Sequence, residues 1–367
     1  MTKLHEGNTL SHKPVIDSER SRLHHQLMTV HNDQLYYLGP NGLYSLTYNS
    51  KEWKKEADPQ FSIESGHSMT STPHGIVVFG GNVSGKTISD AWIFAVDRWR
   101  AFTHDLAPRA YHSCTWIPTM SSVLLSGGSF DHNVYQDFVL LDLKSGKSKT
   151  IPLSTPLPFS HHTVTYVSGT QVCLYGGIHA NKAENRNMYL IDLSTGEVTI
   201  IDSPYLYPAR RSHHASLFFG NLFITGGLSQ SVVSSDALIY IFEHNVWLNL
   251  EFSTSIESSL FVFPMKRGIF FIDETGQNST VLYYKSNEEP FTGVDDPKYI
   301  EFLSSLLDIN SKKQKTSPLI MAAQKARRFL SQEKLNMYLE IEKFYHKDIL
   351  EDTAIAITSH TKEKDTS

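Results

Sequence analysis

No run of about 18 apolar residues occurs anywhere in this chain, so no membrane-spanning helix is expected. Cysteine is nearly absent too. Cys114 and Cys173 are the only two in 367 residues, and they read as small buried apolar residues, not as a disulfide framework. An excess of positive charge is also missing. The formal charge is −5, which gives no support to a nucleic-acid or anionic-membrane partner. The first residues, MTKLHEGNTLSHKP, lack the apolar stretch of a signal peptide, so the chain is expected to be intracellular, cytoplasmic or nuclear. In that setting the glycosylation sequons at Asn82 and Asn278 carry little weight.

Motifs that carry chemistry are missing as well. There is no phosphate-cradling glycine loop ahead of a helix, no G-x-S-x-G elbow and no H-E-x-x-H. The acidic residues are scattered. No catalytic residue, cofactor or metal is therefore expected.

What the sequence does have is a repeated phrase. RAYHSCTWIPTMSSVLLSGG at 109–128 recurs as SGHSMTSTPHGIVVFGG at 65–81, FSHHTVTYVSGTQVCLYGG at 159–177 and RRSHHASLFFGNLFITGG at 210–227. The glycine pairs Gly80–Gly81, Gly127–Gly128, Gly176–Gly177 and Gly226–Gly227 are 47, 49 and 50 residues apart. Aligned on the histidine ahead of each first strand, the copies carry His67, His112, His162 and His214. A worn copy at 22–42 places His25 in register, and another at 257–276 keeps only the apolar alternation, for six copies in all.

Each copy reads as four short strands separated by turn residues, with the glycine pair ending the second. One such sheet cannot bury both of its faces, whereas sheets packed radially about an axis can. The pattern resembles kelch-repeat proteins, whose hallmark is this Gly-Gly after the second strand with an aromatic further on. The resemblance spans roughly residues 15–290 and implies an all-β, six-bladed kelch-type β-propeller.

The sixth copy loses its fourth strand, because VLYYKS runs into the turn-like NEEPFTGVDDP. Lys13–Asp17 is expected to supply that outer strand and close the last blade. The expected organisation is a flexible N-terminus at 1–12, the propeller at 13–295, a helical C-terminal extension at 296–352 and a disordered tail at 353–367. Asp296–Pro297 and Ser317–Pro318 look like helix starts, and the stripe from Leu319 to Phe344 gives one apolar face. That stripe either packs on the propeller or offers 317–350 to a partner helix.

The function implied by the resemblance is non-catalytic protein binding, as a scaffold or adaptor whose partner the sequence does not name. Arg22, Arg109 and Arg211 each precede a repeat histidine by three residues, at one mouth of the channel. A guanidinium fork suits carboxylates, so an acidic partner segment is expected there, with Tyr111, Phe159, His161 and His213 adding contacts. The arginines have a second possible role, tying blades together by ion pairs. Loops such as Asp131–Gln136 and His179–Asn187 are expected at the opposite mouth. The less favoured alternative is an enzyme, or a metal- or sugar-binding propeller, that uses the histidine ring around the axis.

Overall fold

The computed structural model describes residues 27–47, 50, 53–203, 209–218, 220–234, 236–242, 245–251, 258–265, 268–275 and 278–285. The segment Lys13–Asp17, the residues Arg22 and His25, the helical extension at 296–352 with its 317–350 stripe, and the tail lie outside them.

Five four-stranded antiparallel sheets follow one another along the chain. They span Met28–Ala57, Ser68–Ala101, Ser113–Ile151, Thr163–Ile201 and His214–Glu251. In each, sequence order is spatial order, so every sheet is a meander whose first strand is innermost and whose fourth is outermost. The sixth copy differs. Ser258–Met265, Gly268–Thr275 and Asn278–Lys285 make a three-stranded sheet, so among the described residues there are five full blades and not the expected six. In the sequence, proline, glycine and acidic residues follow Lys285 in place of an alternating apolar pattern.

The inner strands lie side by side in chain order: Met28–His31, Ser68–Thr72, Ser113–Ile117, Thr163–Ser168, His214–Phe218 and Ser258–Met265. The last of them touches both His214–Phe218 and Met28–His31. They surround a channel of about 490 Å3 whose lining contains no charged side chain.

Burial explains why the second strands are unbroken apolar runs and do not alternate. GIVVF (75–79) and SVLLS (122–126) are buried at every position, because each of these sheets is covered on both faces by neighbouring sheets. Outermost strands reverse this: in RWRA (98–101) only Trp99 is buried. The core lies between blades. One continuous cluster joins Ile117, Leu124 and Phe138 of the third sheet to Val164, Leu174 and Tyr189 of the fourth. Both cysteines are free thiols. Cys173 is buried and Cys114 half-buried, and burial pushes the Cys114 thiol up to about 12.

Candidate functional site: the glycine-pair mouth

At three of the glycine pairs one blade is locked to the next. The backbone N–H of Gly128 donates to the carbonyl of Phe159 at 2.9 Å, and those of Gly81 and Gly177 donate likewise to Arg109 and Arg210. A Cβ on Gly127 would sit 2.3 Å from the Phe159 carbonyl oxygen, and this glycine holds φ at +54°, where side chains are strained. The pair is therefore needed for close approach and for a left-handed turn together.

This contact fixes the true register of the repeat. Arg109, Phe159 and Arg210 are equivalent, and so are the residues three positions on, His112, His162 and His213. Gly176 packs on the His213 ring as Gly127 packs on His162. The sequence alignment on Arg211 and His214 is one residue out in the fifth blade. His213, expected to contact a partner, is the buried structural histidine. His214 is instead the first residue of the inner strand and faces the channel against Phe263.

Arg109 is corrected in the same way. Its side chain is 2% exposed and donates two hydrogen bonds to the Asp137 carboxylate, at 3.0 and 2.8 Å, and one to the Gly127 carbonyl. Arg210 repeats this with both oxygens of Asp236 and with the Gly226 carbonyl. In the fourth blade the pair is replaced as a unit. Phe159 is buried against His179 and Tyr189, and Asn187 stands ahead of the third strand where the others have aspartate. Neither Arg109 nor Phe159 is available to a ligand. Sequence reasoning missed the aspartates, although Asp137 directly precedes the third strand of its blade and Asp236 begins the third strand of its own.

The histidines hold blades together. His112 Nε2 pairs with Ser68 Oγ at 2.6 Å, His162 Nε2 with Ser126 Oγ at 2.9 Å and His213 Nε2 with Thr163 Oγ1 at 2.8 Å. His67 Nε2 accepts from the Glu64 backbone N–H. Burial holds the His112 and His162 rings neutral: His162 falls to about 3, and His112 is lowered well below its ordinary value by burial and then by the Arg109 charge. Among the described residues, no three of His, Cys, Asp or Glu converge as metal ligands would.

At the rim a backbone circuit links the blades. Tyr111 N–H donates to the Gly66 carbonyl, His161 N–H to Tyr111 and Ser212 N–H to His161, and all four residues have positive φ. The Tyr111 and His161 rings stack at 4.1 Å and 14°. Burial, and then the Arg211 charge, lowers His161 to about 4. Arg211 is half-buried and donates to Glu184 at 3.2 Å. Of the expected docking residues within the described chain, Tyr111, His161 and Arg211 thus lie together at this rim.

The glycine-pair loops belong to this same mouth, not to the opposite one. Ser65 pairs with Asn82, Ala110 with Ser129 and Arg211 with Leu228, so each loop folds back on the segment leading into its own blade. Three of the loops are two-residue hairpins: Asn82–Val83 with Lys86–Thr87, Ser129–Phe130 with Asn133–Val134, and Leu228–Ser229 with Val232–Val233. Both turn residues have positive φ in each, at Ser84–Gly85, Asp131–His132 and Gln230–Ser231, which is the turn whose twist matches paired strands.

Radial four-stranded meanders locked by glycine pairs define a β-propeller of kelch type. The chain belongs to the kelch-repeat family: the family described as KLHDC2/KLHL20/DRC7 Kelch-repeats domain matches residues 66–265. Tip elongation aberrant protein 3 of Schizosaccharomyces pombe is 26% identical over 168 residues, which are 44% of this chain and 13% of that relative. The chain thus spans a small part of that relative's length. Among solved structures, "Structure of YjhT" matches with a TM-score of 0.57 and 12% identity, over 71% of this chain and 94% of that one. That likeness concerns the fold alone. No helix among the described residues is long and apolar enough to cross a membrane.

Proposed function

We propose that this propeller is a non-catalytic protein-interaction module, acting as a scaffold or adaptor, and that the glycine-pair mouth is its docking surface. Kelch-repeat propellers are generally modules of this kind. The observation that carries the choice of face is the set of three hairpins standing on one mouth. Each is anchored by its own glycine pair, and each presents its tip to solvent. Stiff, short turns of this sort lose little conformational freedom when a partner is bound. Tyr111 and Arg211 lie on the segments that these hairpins pair with, and His161, stacked on Tyr111, follows the segment that pairs with Ile178–His179, which makes the mouth a continuous platform.

Lysine chemistry distinguishes this face from the rest. Lys86 and Lys182 lie on the mouth loops, whereas Lys54 and Lys149 lie on outermost strands. Amine cross-linking of the purified chain with its co-purifying proteins, read by mass spectrometry, is expected to join partners at Lys86 and Lys182. Cross-links confined to Lys54 and Lys149 refute the assignment of the face.

A further inference from the structure

The chemistry of the mouth narrows the kind of partner. Resting on the docking surface proposed above, we infer that its ligand is an uncharged, apolar peptide segment, and not the acidic one that the arginine spacing suggested.

The cations that would attract an acidic ligand are already committed. Arg109 and Arg210 are buried on Asp137 and Asp236, and Arg211 is paired with Glu184. The Glu184 carboxylate also accepts from the Gln230 backbone N–H, so it is held in place on both sides. Of the exposed charges on these loops, Lys86, Lys182 and Arg186 are matched one for one by Glu64, Asp90 and Asp131. The surface therefore carries no net positive field, and an acidic segment would lose hydration without gaining a counter-charge.

The hairpin tips offer something else. In each hairpin the pair next to the turn holds one apolar residue: Val83 opposite Lys86, Phe130 opposite Asn133, and Val232 opposite Ser229. Phe130 is 39% exposed and Val232 64% exposed, and among the described residues both are of the few large apolar side chains left in solvent. They belong to different blades, so they act as separate anchors around the opening and do not form one greasy patch. Between them lie the flat Tyr111–His161 stack and the mouth of the uncharged channel. His161, lowered to about 4, is neutral at neutral pH and adds no charge. An apolar segment crossing the opening would cover both tips and leave every existing ion pair intact.

A phage-displayed library of random peptides, selected on the purified full chain, tests this. Enriched sequences, remade as peptides with capped ends, are measured by fluorescence anisotropy on the wild type and on a Phe130→Ser/Val232→Ser variant. Both side chains are exposed, so the variant is expected to keep its circular dichroism and melting midpoint. Ile200→Ser, on the outermost strand of the fourth blade, is the control. The expected result is enrichment of apolar sequences without Asp or Glu, with binding at least tenfold weaker in the double variant and unchanged in the control. Acidic enriched peptides that still depend on Phe130 and Val232 overturn the partner chemistry and leave the docking face standing. Peptides indifferent to both residues overturn the face as well. A library with no enrichment overturns the inference.

Discussion

Replacing Arg109 tests whether the repeated arginine is a blade-internal tie. The guanidinium is almost fully buried, while Asp137 keeps 28% of its surface exposed. Truncating one partner of a fully buried ion pair costs about 3–5 kcal/mol, chiefly because the other charge is stranded. Partial hydration of Asp137 relieves some of that, so Arg109→Phe is expected to cost about 3 kcal/mol, near the lower bound. The fourth blade supplies the remedy, since it carries Phe159 where the third carries Arg109 and Asn187 where the third carries Asp137. Adding Asp137→Asn to Arg109→Phe removes the stranded charge and should recover about 1–2 kcal/mol, a coupling typical of contacting residues. Urea unfolding followed by tryptophan fluorescence at pH 7.5 measures all four corners of the cycle. The reasoning fails if Arg109→Phe is as stable as the wild type, or if the double variant is no better than the single one.

Three further outcomes follow from the same contacts. His162 has a folded-state pKa of about 3 against an ordinary 6.5, so the neutral form is favoured by folding. Its stabilisation is complete above pH 6.5 and is lost as pH falls towards 3, amounting to about 2 kcal/mol lost at pH 5. His161 and His214, both held near 4, act in the same direction, and a urea midpoint unchanged between pH 7.5 and pH 5 contradicts this. Gly127→Ala drives a methyl group into the Phe159 carbonyl at a left-handed φ, so differential scanning fluorimetry should show loss of about 2 kcal/mol or more. Cys173 is buried with its thiol pushed up by desolvation, so it should resist iodoacetamide at pH 7.5 until denaturant is added. Rapid alkylation of Cys173 in the native chain would show that the packing between the fourth and fifth blades is open.

Much of the architecture is local, and local order is what a sequence displays. The spacing of Gly80–Gly81, Gly127–Gly128 and Gly176–Gly177 revealed the repeat, because a tight turn packed against a carbonyl admits no side chain. Apolar runs such as GIVVF and SVLLS marked strands covered on both faces. The three strands described in the sixth copy coincide with its apolar runs, SSLFVFPM, GIFFIDET and NSTVLYYK.

The site was less legible. The RRSHH phrase offers two arginines and two histidines in adjacent registers, and only the contact of Gly176 with the Arg210 carbonyl and the His213 ring chooses between them. Whether an arginine faces solvent or an aspartate 26 to 28 residues away depends on how the chain returns in the third strand.

The sequence by itself determined the repeating unit, its strand order and its turn chemistry, since these rest on neighbours along the chain. The tertiary structure alone decided which charges are neutralised, which histidines are sealed between blades, and which mouth the glycine-pair hairpins crown. Those outcomes depend on contacts between residues tens of positions apart, made only when the sheets close around their common axis.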